Sequence, residues 1–206
     1  EGRFIRHTNI IYFYQVNITG GVMTKKIAII GAGPGGYPAA FKAAALGAQV
    51  TLIEKGQAGG VCLNCGCIPS KSLLDAAHKF DGVKKLAALS SSPEKAQEFF
   101  NTFDFAKIQT RRQGVTDRLK RGLLSVFKAA KINYIEGSAS FISDKEITVN
   151  GQIISFDDVI IAAGTTAFYP APFDKHKDKL FDNSNIFTLQ NVPARLTIIG
   201  GGVIGC

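Results

Sequence analysis

The stretch KKIAIIGAGPGGYPAAFKAAALGAQVTLIEK, residues 25–55, decides the fold. Its short apolar run Ile27–Ile30 predicts a strand buried on both faces, and its alanine-rich part predicts a helix that ends near Leu46. A second strand is expected from Gln49 to Ile53, closed by Glu54. Strand, glycine-rich turn, helix and strand in this order are typical of an α/β fold with a Rossmann-like parallel sheet.

The turn between the first strand and the helix has the spacing G-x-G-x-x-G. Its first glycine permits the tight turn, its second lets the backbone approach a pyrophosphate, and its third allows the helix to pack closely on the strand. Glu54 lies 23 residues after Gly31 and is placed to accept hydrogen bonds from a ribose diol. The dinucleotide site is therefore predicted at Gly31, Gly33, Pro34, Gly35, Gly36, Glu54 and Lys55.

Three of the four cysteines lie together in GGVCLNCGCIPSK, residues 59–71. A structural zinc site needs four ligands, and no fourth cysteine or histidine lies near in sequence, so we predict no metal. Inert buried thiols are a second alternative. For a disulfide, Cys62 and Cys65 lie within reach on a regular helix, whereas Cys62 and Cys67 need a distorted turn, for which Asn64 and Gly66 are suitable. Spacing alone favours Cys62–Cys65.

Composition excludes several classes of protein. The chain has 206 residues, 46% hydrophobic and 19% charged, which fits a packed globular core and not a disordered chain. Its net charge of +8 is concentrated between Lys107 and Lys131, where interleaved apolar residues predict an amphipathic helix with a solvated basic face and no nucleic-acid partner. No apolar run approaches the ~20 residues of a membrane span, and the cysteine usage favours a reducing cytoplasm.

The segments GAGPGGY, EKGQAGGVCLN and GCIPSK, in that order, resemble the pattern of the pyridine nucleotide-disulfide oxidoreductases. CIPSK is most similar to the dihydrolipoamide dehydrogenase branch, with mercuric reductase and other NADPH-dependent disulfide reductases as alternatives. The resemblance implies an FAD-dependent enzyme that passes electrons from a lipoyl-bearing protein or small dithiol, through a redox disulfide and FAD, to NAD, with NADP not excluded. It also implies a homodimer at full length. The alternative from another class is a non-catalytic nucleotide- or zinc-binding module.

The resemblance also implies roles for residues. Cys62 would attack the substrate disulfide, Cys67 would lie nearest the flavin, and Lys71 would approach flavin N5, so the implied pair differs from the one that spacing favours. Cys65 departs from the pattern, and a third thiol there could exchange with the pair. YIEGSASF (134–141) resembles the strand that contacts adenine, and DDVIIAAGT (157–165) the segment beside the flavin. Further implied cofactor contacts are Gly60, Val61, Ala139, Ala163, Gly164 and Thr165.

The predicted organisation has four parts. Residues 1–22 are expected to be an upstream extension, and residues 23–165 the first segment of the FAD-binding domain, with an antiparallel β-meander around an Asn150-Gly151 hairpin. Residues 166–193 are expected to be a connector. Residues 194–206, with LTIIGGGVIG, predict a strand and the truncated start of an NAD(P)-binding domain at Gly200, Gly202 and Gly205.

We expect this chain to be a fragment. Its three histidines, His7, His78 and His176, match no catalytic motif of the family and are expected at the surface. By itself the chain is predicted to bind FAD weakly and to show no turnover.

Overall fold

The computed structural model describes residues 25–92, 94–95, 98 and 102–205, so the extension predicted at residues 1–22 lies outside the described residues. The strands are β1 (Lys26–Ile30), β2 (Gln49–Glu54), β3 (Asn133–Glu136), β4 (Ala139–Phe141), β5 (Glu146–Val149), β6 (Gln152–Ser155) and β7 (Asp158–Ile161). The helices are α1 (Gly36–Ala45), α2 (Gly60–Cys65), α3 (Cys67–Ala87) and α4 (Phe105–Ala129), with short 3-10 helices at Phe173–Lys179 and Ile186–Thr188.

Strand β1 lies inside a parallel sheet with the strand order β3-β2-β1-β7. Ile29 of β1 is in register with Leu52 of β2 and Ile160 of β7. Ile29 and Leu52 are fully buried, because a parallel sheet of this kind is covered on both faces. The α/β fold predicted from residues 25–55 is therefore confirmed.

The two faces of this sheet are covered by different layers. One face packs against α1 and the end of α4, through Ala40, Ala43 and Phe127. The other packs against the antiparallel sheet β4-β5-β6, through Ile147 and Val149. Burial of each large apolar side chain contributes about 1.5–3 kcal/mol to folding. These layers fix the carboxyl ends of β1 and β2 side by side, where the glycine-rich turn begins.

The hairpin predicted at Asn150-Gly151 joins β5 and β6. Asn150 has φ 52° and Gly151 has φ 79°, and two consecutive positive φ angles are what a type I′ turn requires. The side-chain amide of Asn150 donates to the carbonyl of Glu136 at 2.8 Å. The antiparallel sheet is thereby attached to β3.

The interpretation of residues 134–141 as one strand is wrong. β3 ends at Glu136 in the parallel sheet, and β4 begins at Ala139 in the antiparallel sheet. The chain changes sheets at Gly137, where a Cβ would lie 2.6 Å from the side chains of Val149 and Asn150. A larger residue at this break would therefore fit only if the side chains of Val149 and Asn150 moved.

Helix α4 is the amphipathic helix predicted from the basic segment. Leu123, Leu124 and Phe127 pack on the core, and the acceptor at its start is Asp104, whose carboxylate accepts from Ala106 N at 2.9 Å. Leu119 and Val126, two of the interleaved apolar residues from which the amphipathic helix was predicted, are instead exposed. No helix in the described ranges is both long and apolar enough to cross a bilayer.

Arg112 of α4 is not part of the solvated basic face. Its side chain is only 9% exposed, and its guanidinium lies 5.7 Å from the ring centre of Phe187. Its Nε donates to Gln109 Oε1 at 2.6 Å, and Gln109 Nε2 donates to Leu189 O at 2.8 Å. The segment predicted as a connector therefore runs back along α4 and is held there.

The strand predicted at residues 196–199 is not formed. Leu196, Ile198 and Ile199 are more than half exposed, and none of the described strands pairs with them. An isolated apolar run has no ladder of hydrogen bonds to stabilise an extended conformation. Hydrophobic pattern alone was therefore insufficient for this strand.

Candidate functional site

The glycine-rich turn is held together by contacts that exclude side chains. Gly31 has φ 106°, and its N–H donates to Ile53 O at 2.7 Å. A Cβ on Gly31 would collide with the carbonyl of Ala162, and one on Gly36 would collide with the carbonyl of Gly31. These two glycines are therefore required by the packing of the turn itself.

Gly33 is different, because packing within the chain does not explain it. A Cβ there would only meet Gly60 Cα at 3.6 Å, an ordinary contact, and its φ is not positive. Within the described residues, nothing accepts the N–H of Gly33 or of Gly35. A free surface with unpaired N–H groups before a helix N-terminus suits a phosphate. The turn therefore fits the pyrophosphate of the FAD that the sequence implies.

Glu54 connects the glycine-rich turn to the end of β2. Its Oε2 accepts from Ala32 N at 2.7 Å, and its Oε1 accepts from Gly56 N at 2.8 Å. A carboxylate offers about four lone-pair positions, so both oxygens can still accept from a ribose diol. The structure thus gives Glu54 a turn-holding role that the sequence did not predict.

A glycine pair joins the glycine-rich turn to the cysteine segment. Gly59 has φ 96°, and its N–H donates to Ala32 O at 2.9 Å. Gly60 has φ 57°, and a Cβ on it would lie 2.6 Å from Gly33 Cα. The backbone before Cys62 therefore touches the backbone of the glycine-rich turn. Gly59 is absent from the predicted site, although the doublet in the sequence was a signal for it.

The helix that carries the cysteines is broken at Gly66, which has φ −140° and ψ −114° between α2 and α3. A Cβ on Gly66 would lie 3.0 Å from Val61 O. Asn64, suggested as a second distorted residue, remains helical. Its amide instead donates to the carbonyls of Gly60 at 2.9 Å and Ala58 at 3.1 Å, which holds α2 against the preceding loop.

The break brings Cys62 and Cys67 together. Both are free thiols in this structure, Cys62 half-buried and Cys67 exposed. A side-chain hydrogen bond with Cys67, followed by burial, raises the pKa of the Cys62 thiol, while the charge of nearby Lys71 acts to lower it. Two free thiols on the two sides of one helix break suit exchange with a disulfide.

Cys65 has other neighbours. Burial raises the pKa of its thiol, and the carboxylate of Asp182 raises it further. Asp182 belongs to residues 166–193, far along the sequence, so sequence reasoning missed it. Within the described part of the chain, no group of three or more His, Cys, Asp and Glu side chains is placed to hold a metal ion.

The remaining predicted contacts are spread around this centre. The 162–165 segment follows β7, and Ala163 N would lie 3.2 Å from a Cβ on Gly31, whereas Gly164 and Thr165 are exposed. Ala139 pairs with Val149 in the antiparallel sheet. It is joined to the centre only through Gly137, whose N–H donates to Glu54 O at 2.8 Å. Lys55 and Val61 are also exposed beside the site.

The turn at residues 200–205 repeats the local geometry of the first turn. Gly200 has φ 101°, and Gly205 N donates to Gly202 O at 3.0 Å, as Gly36 N does to Gly33 O at 2.9 Å. A Cβ on Gly205 would collide with Gly200 O.

Comparison with known proteins places the chain among flavoenzymes. The sequence profile of the pyridine nucleotide-disulphide oxidoreductases matches residues 25–206. Dihydrolipoyl dehydrogenase of Geobacillus stearothermophilus is 39% identical over 181 residues, which are 86% of this chain and 37% of that protein. A dihydrolipoyl dehydrogenase of Bacillus subtilis is 40% identical over 187 residues, 87% of this chain and 40% of that protein.

A solved structure gives the same result. The HOCl-induced flavoprotein disulfide reductase RclA from Escherichia coli superposes with a TM-score of 0.68 at 27% sequence identity, covering 87% of this chain and 38% of that one. The chain thus spans about two fifths of these proteins. Its glycine-rich turn, its paired thiols and these matches show that the chain belongs to the pyridine nucleotide-disulphide oxidoreductase family.

Proposed function

We propose that this chain supplies the FAD-binding segment and the redox-active dithiol of a dihydrolipoyl dehydrogenase. The observation that carries the proposal is the helix break at Gly66, which has the free thiols of Cys62 and Cys67 on its two sides, next to a glycine-rich turn that fits a pyrophosphate. The names of the relatives at 39–40% identity support the same activity.

The residues that would hold FAD are those that this site brings together. The turn from Gly31 to Gly36 would receive the pyrophosphate on the free N–H groups of Gly33 and Gly35. Glu54 would accept from the adenosine ribose, and Ala163 and Lys71 would lie towards the flavin ring. FAD would supply the electron acceptor for the dithiol and the donor to a nicotinamide.

The dithiol step follows from the paired thiols. Starting from a Cys62–Cys67 disulfide, one lipoyl thiolate attacks Cys62 Sγ, a mixed disulfide forms, and Cys67 leaves as a thiolate. The second lipoyl thiolate then attacks its neighbouring sulfur, which closes the lipoyl disulfide and releases Cys62. Lipoyl is oxidised by two electrons and the protein pair is reduced by two. Because the pKa of Cys62 is raised, its proton needs a base for the reverse reaction.

The proposal extends to the electron acceptor and the assembly. NAD is the proposed acceptor, with a lipoyl-bearing protein as substrate, a homodimer as the working state and the cytoplasm as the location. A second candidate is an NADPH-dependent disulfide reductase, including mercuric reductase. The similarity to the flavoprotein disulfide reductase of Escherichia coli supports the disulfide-reductase part of this candidate.

The test is the anaerobic reduction by dihydrolipoamide of FAD bound to this chain. It is measured as the loss of flavin absorbance in a single turnover. The FAD concentration is kept well above its dissociation constant. The flavin absorbance should then fall slowly with the parent and should not fall with Cys62→Ser or Cys67→Ser. Cys65→Ser is the matched control and should bleach like the parent. Bleaching that is equal in all four proteins would contradict the assignment of the redox pair.

A further inference from the structure

Cys65 gives the redox site a third thiol on the same short helix. Cys62 and Cys65 both belong to α2, which is regular from Gly60 to Cys65. Residues three apart on a helix have Cβ atoms about 5–6 Å apart, whereas a disulfide needs about 3.5–4.5 Å. A movement of about 1–2 Å would therefore bring Cys65 Sγ to Cys62.

We propose that Cys65 is a second resolving thiol, which can displace Cys67 from Cys62, and that Asp182 restrains this exchange. The proposal rests on the proposed function, since it starts from the Cys62–Cys67 disulfide. The Cys65 thiolate attacks Cys62 Sγ, a Cys62–Cys65 bond forms, the Cys62–Cys67 bond breaks, and Cys67 leaves as a thiolate. No oxidant or reductant is consumed, and the proton lost by Cys65 returns to Cys67 through solvent.

The restraint comes from a carboxylate that the fold holds in one place. Asp182 Oδ2 accepts from the hydroxyl of Tyr169 at 2.6 Å, and its Oδ1 accepts from Ser184 N at 2.7 Å. Asp182 N donates to Asn185 Oδ1 at 2.7 Å. The hydroxyls of Ser184 and Tyr169 lower the pKa of Asp182, so the group stays ionised.

A fixed negative charge near Cys65 disfavours its thiolate, the form that attacks a disulfide. Half-burial of Cys65 acts in the same direction. Cys67 is exposed, and it is the group with the largest effect on the pKa of the Cys62 thiol. The chain therefore keeps three thiols within reach of one another and leaves only two of them in rapid exchange.

The first experiment tests whether the second bond can form. Cys67→Ser and Cys65→Ser are oxidised with oxidised glutathione, alkylated and mapped by peptide mass spectrometry. We expect Cys67→Ser to form a Cys62–Cys65 bond and Cys65→Ser a Cys62–Cys67 bond. Only glutathione adducts in Cys67→Ser would overturn the exchange. Only adducts in Cys65→Ser would overturn the proposed redox pair itself, which keeps the two failures distinct.

The second experiment measures the restraint as a rate. The oxidised parent and its variants are alkylated at intervals at one fixed pH, and the growth of free Cys67 gives the exchange rate. Each tenfold gain in thiolate raises such a rate by only about threefold, because a more acidic thiol is less nucleophilic. For Asp182→Asn we therefore expect an acceleration of no more than about threefold for each tenfold gain in Cys65 thiolate.

Two variants serve as controls for this rate. Asp178→Asn removes an exposed carboxylate of the same segment, and Tyr169→Phe removes a hydrogen bond of Asp182 while keeping its charge. Asp178→Asn should exchange at the parent rate, and Tyr169→Phe, which loosens the carboxylate without removing its charge, should exchange at a rate between those of the parent and Asp182→Asn. Equal rates in Asp182→Asn and Asp178→Asn would overturn the role of Asp182, as would an acceleration by Tyr169→Phe that matches Asp182→Asn.

Discussion

Glu54 is the residue at which cofactor binding and the shape of the turn meet. Its two oxygens already accept from Ala32 and Gly56, and the sequence predicts a ribose as a further partner. Glu54→Ala should weaken FAD binding by about tenfold or more, because hydrogen bonds to a charged group are worth about 1.5–3 kcal/mol. A flavin fluorescence titration measures the dissociation constant.

The matched control for Glu54 is Glu136→Ala, an exposed carboxylate at the end of the neighbouring strand. It should leave the dissociation constant of FAD unchanged. The dissociation constant of Glu54→Gln should lie between those of Glu54→Ala and Glu136→Ala, because the amide retains one acceptor oxygen and replaces the other by a donor. If Glu54→Ala bound FAD as tightly as the parent, its assigned role would be wrong.

Gly66 controls the distance between the redox thiols. Gly66→Ala would place a Cβ 3.0 Å from Val61 O and 3.3 Å from Cys62 Cα, so the backbone next to Cys62 must shift. We expect a several-fold lower yield of the Cys62–Cys67 disulfide in a glutathione redox buffer, measured by thiol alkylation and mass spectrometry. Gly114→Ala, in α4 with no atom within 4 Å of the new Cβ, should leave that yield unchanged.

At the scale of elements, the β5–β6 hairpin is sensitive to its first turn residue. Asn150→Ala loses both a side chain that tolerates positive φ and the hydrogen bond to Glu136 O. Each loss costs about 1 kcal/mol, so the free energy of unfolding should fall by about 2 kcal/mol. Urea unfolding followed by circular dichroism measures this change. Gln152→Ala, exposed in the same hairpin, should change it by less than about 0.5 kcal/mol.

Elements whose causes are local were predictable from the sequence. The strands and helix of residues 25–55, the Asn150-Gly151 hairpin and α4 all follow from spacing or turn chemistry, and the structure agrees with them. Arg112 was not predictable, because Phe187, which lies 75 positions away, covers its guanidinium. The same holds for Asp182 beside Cys65. The strand expected at 196–199 is not formed, because a strand needs a neighbouring strand to pair with. The hydrophobic pattern does not report that pairing.

At the scale of the whole molecule, alkaline stability should depend on Tyr134. Burial, with the charges of Glu136 and Glu54, raises the pKa of Tyr134 to about 12 from 10.0. The folded protein thus holds this proton more tightly than the unfolded chain does. The resulting stabilisation is complete below pH 10.0 and is lost as pH rises from there towards about 12.

Unfolding midpoints in urea across this pH range test the prediction. Tyr134→Phe should show a shallower decline of stability with pH than the parent does. Tyr37→Phe removes a hydroxyl from another partly buried ring. The stability of this variant should decline with pH as steeply as that of the parent. Parallel curves for the parent and Tyr134→Phe would show that this tyrosine does not set the alkaline limit.

The contact between Gly33 and Gly60 has a consequence for how such a site can evolve. Most neighbouring segments meet through side chains, and a lineage can adjust their spacing in small steps by exchanging one side chain for another of slightly different size. Here backbone meets backbone, and even a methyl group on Gly60 would lie 2.6 Å from Gly33 Cα. The spacing between the cofactor loop and the cysteine helix therefore has no series of intermediate variants. Selection can keep Gly60 or rebuild both loops together, and this makes Gly60 a fixed point around which the rest of the sequence is free to diverge.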